Sequence, residues 1–307
     1  LEGGKRFRPR LVMSVYALLG GSNRTAAATV AASFELLHTA LIVHDDVVDR
    51  DFTRRGVPNV AGSYRNLAEA QGGTADQAEH TGLSAAVIAG DLALSNAYRL
   101  LSEANVDLPL RQRLGDLLDE AVVASAAGEL LDVLAPLDST PQSVEEVLEM
   151  SRLKTAVYSF DVPLRAGAVL AGADQELVAA LGAFGRTLGT AYQVADDLVG
   201  AFGDESRTGK TGWGDLREGK RTALISYAAT QPQWTRIKEL LAQDLTARDA
   251  AEIRELLVAS GARDKTLKLA SDLTEQALDV LVQPFVPQAL RDGLSPMSRL
   301  VTDRMGA

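Results

Sequence analysis

Long apolar segments separated by short polar turns run through the chain, with few stretches of β-branched or aromatic residues between them. The pattern predicts helices over 11–19, opened by Pro9, over 26–50, 84–101, 108–134, 144–171 and 176–202, and further amphipathic helices over 234–243, 247–260, 263–282 and 288–304. Several places break it. Residues 66–82 are polar and carry Gly72-Gly73, which reads as a loop, and Gly90-Asp91 interrupts the helix that follows. Pro163 lacks an N–H and clashes with the preceding turn, so it interrupts or kinks its helix near residue 159. Residues 203–222, GDESRTGKTGWGDLREGKRT, are polar and Gly-rich and read as a mobile lid. No tandem repeat, low-complexity tract or Pro/Gly/Ser-rich linker divides the chain, so one all-α domain over 1–307 is expected.

Composition sharpens this. Hydrophobic residues make up 46% of the chain, with Ala and Leu prominent, which favours helix packed on helix over sheet. The absence of cysteine excludes disulfides and thiolate metal sites and fits a reducing compartment. No apolar run reaches the roughly 18 residues that span a bilayer, and LEGGKRFRPR is not a secretory signal, so a soluble cytoplasmic protein is expected. A net charge of −10 argues against non-specific nucleic-acid binding. The basic residues are clumped, however, and local clumps govern how an anionic substrate is met.

The candidate chemistry is organised around residues 34–56, FELLHTALIVHDDVVDRDFTRRG, an apolar helix that ends in Asp45, Asp46 and Asp49. At helical spacing Asp45 and Asp49 share a face, with Asp46 beside them. Carboxylates about 6 Å apart repel by about 3 kcal/mol at an effective dielectric near 20, so the cluster calls for a cation. Oxygen-only donors select a hard ion, and Mg²⁺ takes one or two carboxylates plus substrate phosphates. A solvated acidic helix end is the alternative for this motif alone. His38, two turns earlier, is a core residue or a neutral or cationic donor. Arg54 and Arg55 balance the acids or grip an anion that the metal bridges. Three cations in Gly3-Gly4-Lys5-Arg6-Phe7-Arg8-Pro9, at a glycine turn and helix start, suit a phosphate or mark a plain basic helix start. Glu129 and Asp132 share a face of the 108–134 helix, as surface residues or in a supporting role. Lys154 and Thr155 precede Pro163, and a kink there aims carbonyls and the Thr155 hydroxyl at a developing carbocation while Lys154 holds a phosphate. A second acidic pair, Asp196-Asp197, follows Gln193 on an apolar helix.

GGKRFRP, DDVVD followed by RRG, KTAVYSF, QVADD and TGKTGWGDLREGK, in that order, resemble the motifs of the trans (all-E) isoprenyl diphosphate synthases, most like geranylgeranyl diphosphate synthases. The resemblance runs from residue 3 to about 225. It implies an all-α bundle of about ten or more helices around a deep central cavity, the isoprenoid synthase fold, and a homodimer. It also implies Mg²⁺, as three ions, and condensation of isopentenyl diphosphate with an allylic diphosphate (dimethylallyl, geranyl or farnesyl). On this resemblance Lys5, Arg8, His38 and Arg55 bind isopentenyl diphosphate, and Arg54, Lys154, Lys210 and Lys220 bind the allylic diphosphate. Asp45, Asp49 and Asp196 hold the metal, Asp46 and Asp197 support them, and Gln193 and Thr155 face the reacting carbons. One position departs from the family pattern: Gly200 stands where the second motif has its third Asp.

Two rival functions use the same motifs. A class I terpene cyclase ionises the same bond but has no second diphosphate for Lys5, Arg8 and Arg55 to hold. A non-catalytic subunit of a heteromeric synthase is expected to have lost the aspartates or lysines, and all are present. Product length follows from the helix that carries Asp45. Leu41 and Ala40 lie one turn below it, Leu37 and His38 two, and Phe34 three, about 16 Å down. Three to four isoprene units of roughly 4–5 Å fit above Phe34. Ala40 leaves room and Leu41 narrows the channel, so a C20 product is expected.

Overall fold

The computed structural model describes residues 6–137, 140–203, 213–242 and 244–306. The chain falls into two compact units, Leu1–Val122 with Ala166–Ala173 and Val123–Arg165 with Asp174–Ala307. Both are helical; among the described residues the only sheet is a two-stranded hairpin.

The first unit holds α1 (Phe7–Leu18), α2 (Arg24–Val48), the hairpin β1 (Thr53–Arg54) and β2 (Val57–Pro58), α3 (Val60–Ala70), α4 (Ala75–Ser102) and the first part of α5 (Leu108–Leu134). α2 starts where the Asn23 side chain accepts a hydrogen bond from the Ala26 N–H at 3.0 Å. It packs along α1 and α4 and buries Val30, Phe34, Leu37 and Ala40. Full burial of a Leu or Phe side chain stabilises by about 1.5–3 kcal/mol, which makes α2 the axis of this unit. By length and composition α2 is apolar enough to cross a membrane, a correction to the expectation that no stretch is. Half of that apolar window is buried inside the protein, and α2 also buries a carboxylate, Asp46, as a core helix would.

The polar stretch 66–82 is mostly helix and not a loop. A capping box starts α4: the Gln77 N–H donates to Thr74 Oγ1 at 3.3 Å, and the Thr74 N–H donates to Gln77 Oε1 at 3.0 Å. The polar side chains lie on the solvent face, and the break shrinks to a turn with Gly72 at φ 84°. Gly90-Asp91 does not interrupt α4 either. The His44 ring packs against Gly90 where any Cβ would overlap it, so this glycine serves close packing.

The second unit holds the rest of α5, α6 (Val144–Ser151), a π-helical stretch (Arg152–Asp161), the start of α7 (Val162–Leu170) and α8 (Gln175–Phe202). Then come α9 (Gly214–Arg217), α10 (Ala223–Ala229), α11 (Trp234–Leu241), α12 (Ala247–Ala259), α13 (Ala262–Leu281), α14 (Gln288–Leu294) and α15 (Arg299–Met305). α8, capped by Asp174 accepting from the Leu177 N–H at 2.8 Å, packs along the π-helical stretch, α13 and α15. Pro163 does not break its helix. The chain passes from α6 through ten residues of wide turns into α7, so the disturbance is spread upstream as a change of hydrogen-bond register. Of the expected lid, 204–212 lie outside the described residues. The part after them is docked, with Leu216 of α9 in a core with Leu198, Leu224, Ile237, Ile253 and Leu257.

Candidate active site

α2 ends at Val48, and the hairpin then turns the chain back. Arg55 and Gly56 have φ of 56° and 77°, the two left-handed residues of a tight type I′ turn. The reversal that brings Arg54 over the end of α2 comes earlier, at Arg50, whose φ is 54° and after which the Asp51 N–H donates to the Asp46 carbonyl at 2.8 Å. Arg54 Nε donates to Asp46 Oδ1 at 2.8 Å and its Nη2 to Asp45 Oδ2 at 3.1 Å. The Asp46 side chain is sealed, at 5% exposed, whereas that of Asp45 is 27% exposed and Asp49 lies at the surface. Burial pushes the Asp46 carboxyl up, and Arg54 opposes the shift. Asp46 thus anchors the arginine, which leaves Asp45 and Asp49 as the carboxylates nearest solvent.

His38 is mostly buried. Burial first, and then the charges of Arg8, Arg54 and Arg55, drive its pKa down to about 3, so the imidazole is neutral. The first unit therefore gathers three arginines around one uncharged histidine, a concentration of positive charge beside the Asp45 cluster. Lys5 lies outside the described residues.

In the second unit Lys154, on the π-helical stretch, reaches back to α5. Its Nζ lies 2.6 Å from Asp132 Oδ2 and 3.0 Å from Glu129 Oε2, so that pair supports the lysine and is not plain helix surface. The backbones meet closely here: a Cβ on Gly128 would lie 2.6 Å from Lys154 Cα. α8 meets the other side of the stretch through glycines too. A Cβ on Gly185 would lie 2.7 Å from Asp161 Cα, and one on Gly189 would lie 2.7 Å from Ala156 Cβ. Thr155 is half-buried on this stretch.

On α8, Asp196 is partnered from the far end of the chain. Arg304 Nε on α15 donates to its Oδ1 at 2.9 Å, while the guanidinium also donates to the Tyr192 hydroxyl and lies 4.0 Å over the Tyr192 ring. Asp197 is buried. Desolvation, opposed by Gln193 and reinforced by the charges of Asp215 and Asp196, pushes its pKa up to about 8, so it is protonated at neutral pH. Gln193 Nε2 donates to Asp197 Oδ1 at 2.8 Å, so this side chain is engaged with the buried acid of the pair. Lys220 Nζ lies 3.0 Å from Asp215 Oδ1 and 3.1 Å from Glu218 Oε2. Burial pulls the lysine down, but the two carboxylates outweigh it and hold the charge. Lys210 lies outside the described residues. The sequence did not single out Arg304, whose partner is 108 residues away, or Asp215, which hides inside a motif read for its lysines.

Among the described residues no three acidic or histidine side chains converge into a closed metal cage. The donors come as single carboxylates and pairs, all oxygen, with Asp45 and Asp196 partly exposed. That set fits Mg²⁺, which keeps water and takes the remaining oxygens from substrate phosphates.

Helices bearing Asp-Asp pairs near their C-terminal ends, with Arg and Lys held on carboxylates close by, suit diphosphate chemistry, and similarity to known proteins makes the chain a trans-prenyl diphosphate synthase, a transferase of the isoprenoid synthase fold. The chain belongs to the polyprenyl synthetase family, whose model matches residues 1–258. A geranylfarnesyl diphosphate synthase from Aeropyrum pernix is 31% identical over 99% of this chain and 91% of its own length. A geranylgeranyl diphosphate synthase from Sulfolobus acidocaldarius is 35% identical over 73% of this chain and 62% of its own. The crystal structure of geranylgeranyl pyrophosphate synthase from Corynebacterium glutamicum, complexed with isoprenyl diphosphate and magnesium, superposes with a TM-score of 0.89. It is 32% identical, over 99% of this chain and 88% of that one.

Proposed function

We propose that this protein condenses isopentenyl diphosphate with an allylic diphosphate, head to tail and with E geometry, to give geranylgeranyl diphosphate. The observation that carries this is the cationic group around His38. Arg8 and Arg55 act on a neutral imidazole beside an acidic cluster that has its own arginine, Arg54, and its own use for a metal-bound diphosphate. A cyclase, with one diphosphate to hold, has no use for this second group. Arg8, His38 and Arg55, with Lys5, hold isopentenyl diphosphate. Arg54, kept on Asp46, Lys154, kept on Asp132, and Lys220, kept on Asp215, turn their remaining N–H groups to oxygens of the allylic diphosphate, joined by Lys210. Asp45, Asp49 and Asp196 would hold Mg²⁺, as three ions, which would supply the positive charge that neutralises a leaving diphosphate.

The apolar side chains of α2 keep water from the cation formed on ionisation, and the Thr155 hydroxyl faces it. The double bond of isopentenyl diphosphate attacks that cation, and the proton lost from C2 passes to the departing pyrophosphate, since no side chain among the described residues stands out as its base. The chain acts as a single isoprenyl diphosphate synthase domain over 1–307, in a cytoplasmic homodimer. The test is to incubate the purified protein alone with Mg²⁺, an allylic diphosphate and isopentenyl diphosphate. A C20 diphosphate is expected. A cyclic hydrocarbon, or no reaction, overturns the assignment, and another chain length overturns only the product.

A further inference from the structure

Position 200 lies one helical turn after Asp196 on the same face of α8, and it is a glycine. The space beside it is taken. A Cβ built on Gly200 would overlap the Asp215 carboxylate outright, falling on Cγ and Oδ2, with Oδ1 3.1 Å away. Asp215 belongs to α9, which Leu216 fixes in the core, so this carboxylate is placed by packing and not by a free loop. Its two oxygens have different surroundings. Oδ1 takes Lys220 Nζ at 3.0 Å, while Oδ2 stands where the side chain of residue 200 would begin. Asp196, Asp197 and Asp215 also feel one another's charge, which places them in one electrostatic group.

We propose that Asp215 supplies, from α9, the carboxylate that residue 200 lacks, so that Asp196 and Asp215 together form the divalent-cation face of α8. This rests on the metal-dependent prenyl transfer proposed above and assigns a further residue to it. Gly200 is then a requirement: with no side chain there, α9 comes close enough for its aspartate to reach the face of Asp196. One side chain positions Lys220 through Oδ1 and offers Oδ2 to a cation, so the lysine and the metal are held in fixed relation. An aspartate at 200 would collide with Asp215 and bring a like charge beside it.

The test reads metal binding directly, by titrating Mn²⁺ into the protein with inorganic pyrophosphate and following it by calorimetry and electron paramagnetic resonance. Asp215→Asn, which keeps the shape, is expected to weaken Mn²⁺ by about 10-fold or more, the usual scale for losing a group that supports a metal. Gly200→Asp alone is expected to lower the melting temperature. The exchange variant Gly200→Asp/Asp215→Ala is expected to recover Mn²⁺ affinity over Asp215→Ala, a rescue that a purely structural role for Asp215 would not give. Parent-like Mn²⁺ binding by Asp215→Asn overturns the inference alone, as does an exchange variant that folds by circular dichroism and binds no better than Asp215→Ala. A parent protein that binds no Mn²⁺ with pyrophosphate overturns both the inference and the function on which it rests.

Discussion

Arg304 Nε lies 2.9 Å from Asp196 Oδ1, so the last helix of the chain closes on the carboxylate expected to carry metal. The arginine supplies the positive charge that Asp196 otherwise draws from a cation, and the two compete for the same oxygen. With side chains 27% and 44% exposed, the pair is worth about 0.5–1 kcal/mol. Arg304→Ala is therefore expected to lower the Mg²⁺ concentration for half-maximal turnover by roughly 2- to 5-fold. Magnesium titrations of both proteins check this, and an unchanged midpoint would show that Arg304 does not compete.

The neighbouring aspartates of α2 differ in burial, and their substitutions should differ in kind. Asp45→Ala is expected to lower turnover by orders of magnitude while the melting curve stays within about 1 kcal/mol of the parent. Asp46→Ala leaves Arg54 without its sealed partner. Breaking a fully buried pair costs about 3–5 kcal/mol, and because Arg54 is 38% exposed a loss of about 2 kcal/mol is expected. Turnover and urea denaturation, measured together on both variants, separate the two. Near-normal activity in Asp45→Ala would remove this cluster from the chemistry.

His38 makes stability depend on pH. Its pKa is about 3 in the folded protein against 6.5 unfolded, so between those values the unfolded chain binds a proton that the folded one does not. The stabilisation is fully present above about pH 6.5 and is lost as pH falls toward 3. Between pH 7 and 5 the loss is about 2 kcal/mol. Asp197, pushed up to about 8, titrates with the opposite sign, losing its contribution as pH rises, so the comparison must be parent against His38→Gln. Denaturant midpoints at both pH values should show a smaller change in the variant. Parallel changes would mean that the imidazole is not held neutral.

Product length tests α2 again, with one revision forced by packing. Ala40 is 1% exposed and faces the core, while Leu41, one turn before Asp45, is half-buried and Phe34 has no accessible surface. Ala40→Phe therefore overpacks the interior, at about 1–3 kcal/mol, and does not trim the product. Leu41→Phe is expected to shorten the chain and Phe34→Ala to lengthen it. If chromatography of the products shows the parent length for both, α2 does not set the limit.

What could be read from the sequence was what lies close together in it. Asp45, Asp46 and Arg54 lie within one ten-residue span, legible as acids with an arginine just beyond them though not as a hairpin, and the Asp196-Asp197 pair is legible as two acids on an apolar helix. The Glu129 and Asp132 pair was visible as one helical face, but its lysine was not assigned to it. Polar residues misled over 66–82, because a helix with a wet face and a loop have similar composition when little of the segment is buried. Arg304 was out of reach, since nothing local tells an arginine on the last helix that its partner is on α8. Gln193 was placed by resemblance, and its bond to Asp197 depends on burial that no spacing rule gives.

Around the π-helical stretch, Gly128, Gly185 and Gly189 let neighbouring helices meet it nearly backbone to backbone. A side chain accommodates a change beside it by turning to another rotamer, whereas a main chain in contact with a main chain has no such freedom. The position of Lys154 is therefore governed largely by residues that have no side chain at all. Truncating side chains to alanine along this stretch would report tolerance and miss the determinants, while adding one carbon at any of the three glycines would move the lysine. In this part of the protein the charges around the lysine can change in small steps, whereas the backbone that places it cannot.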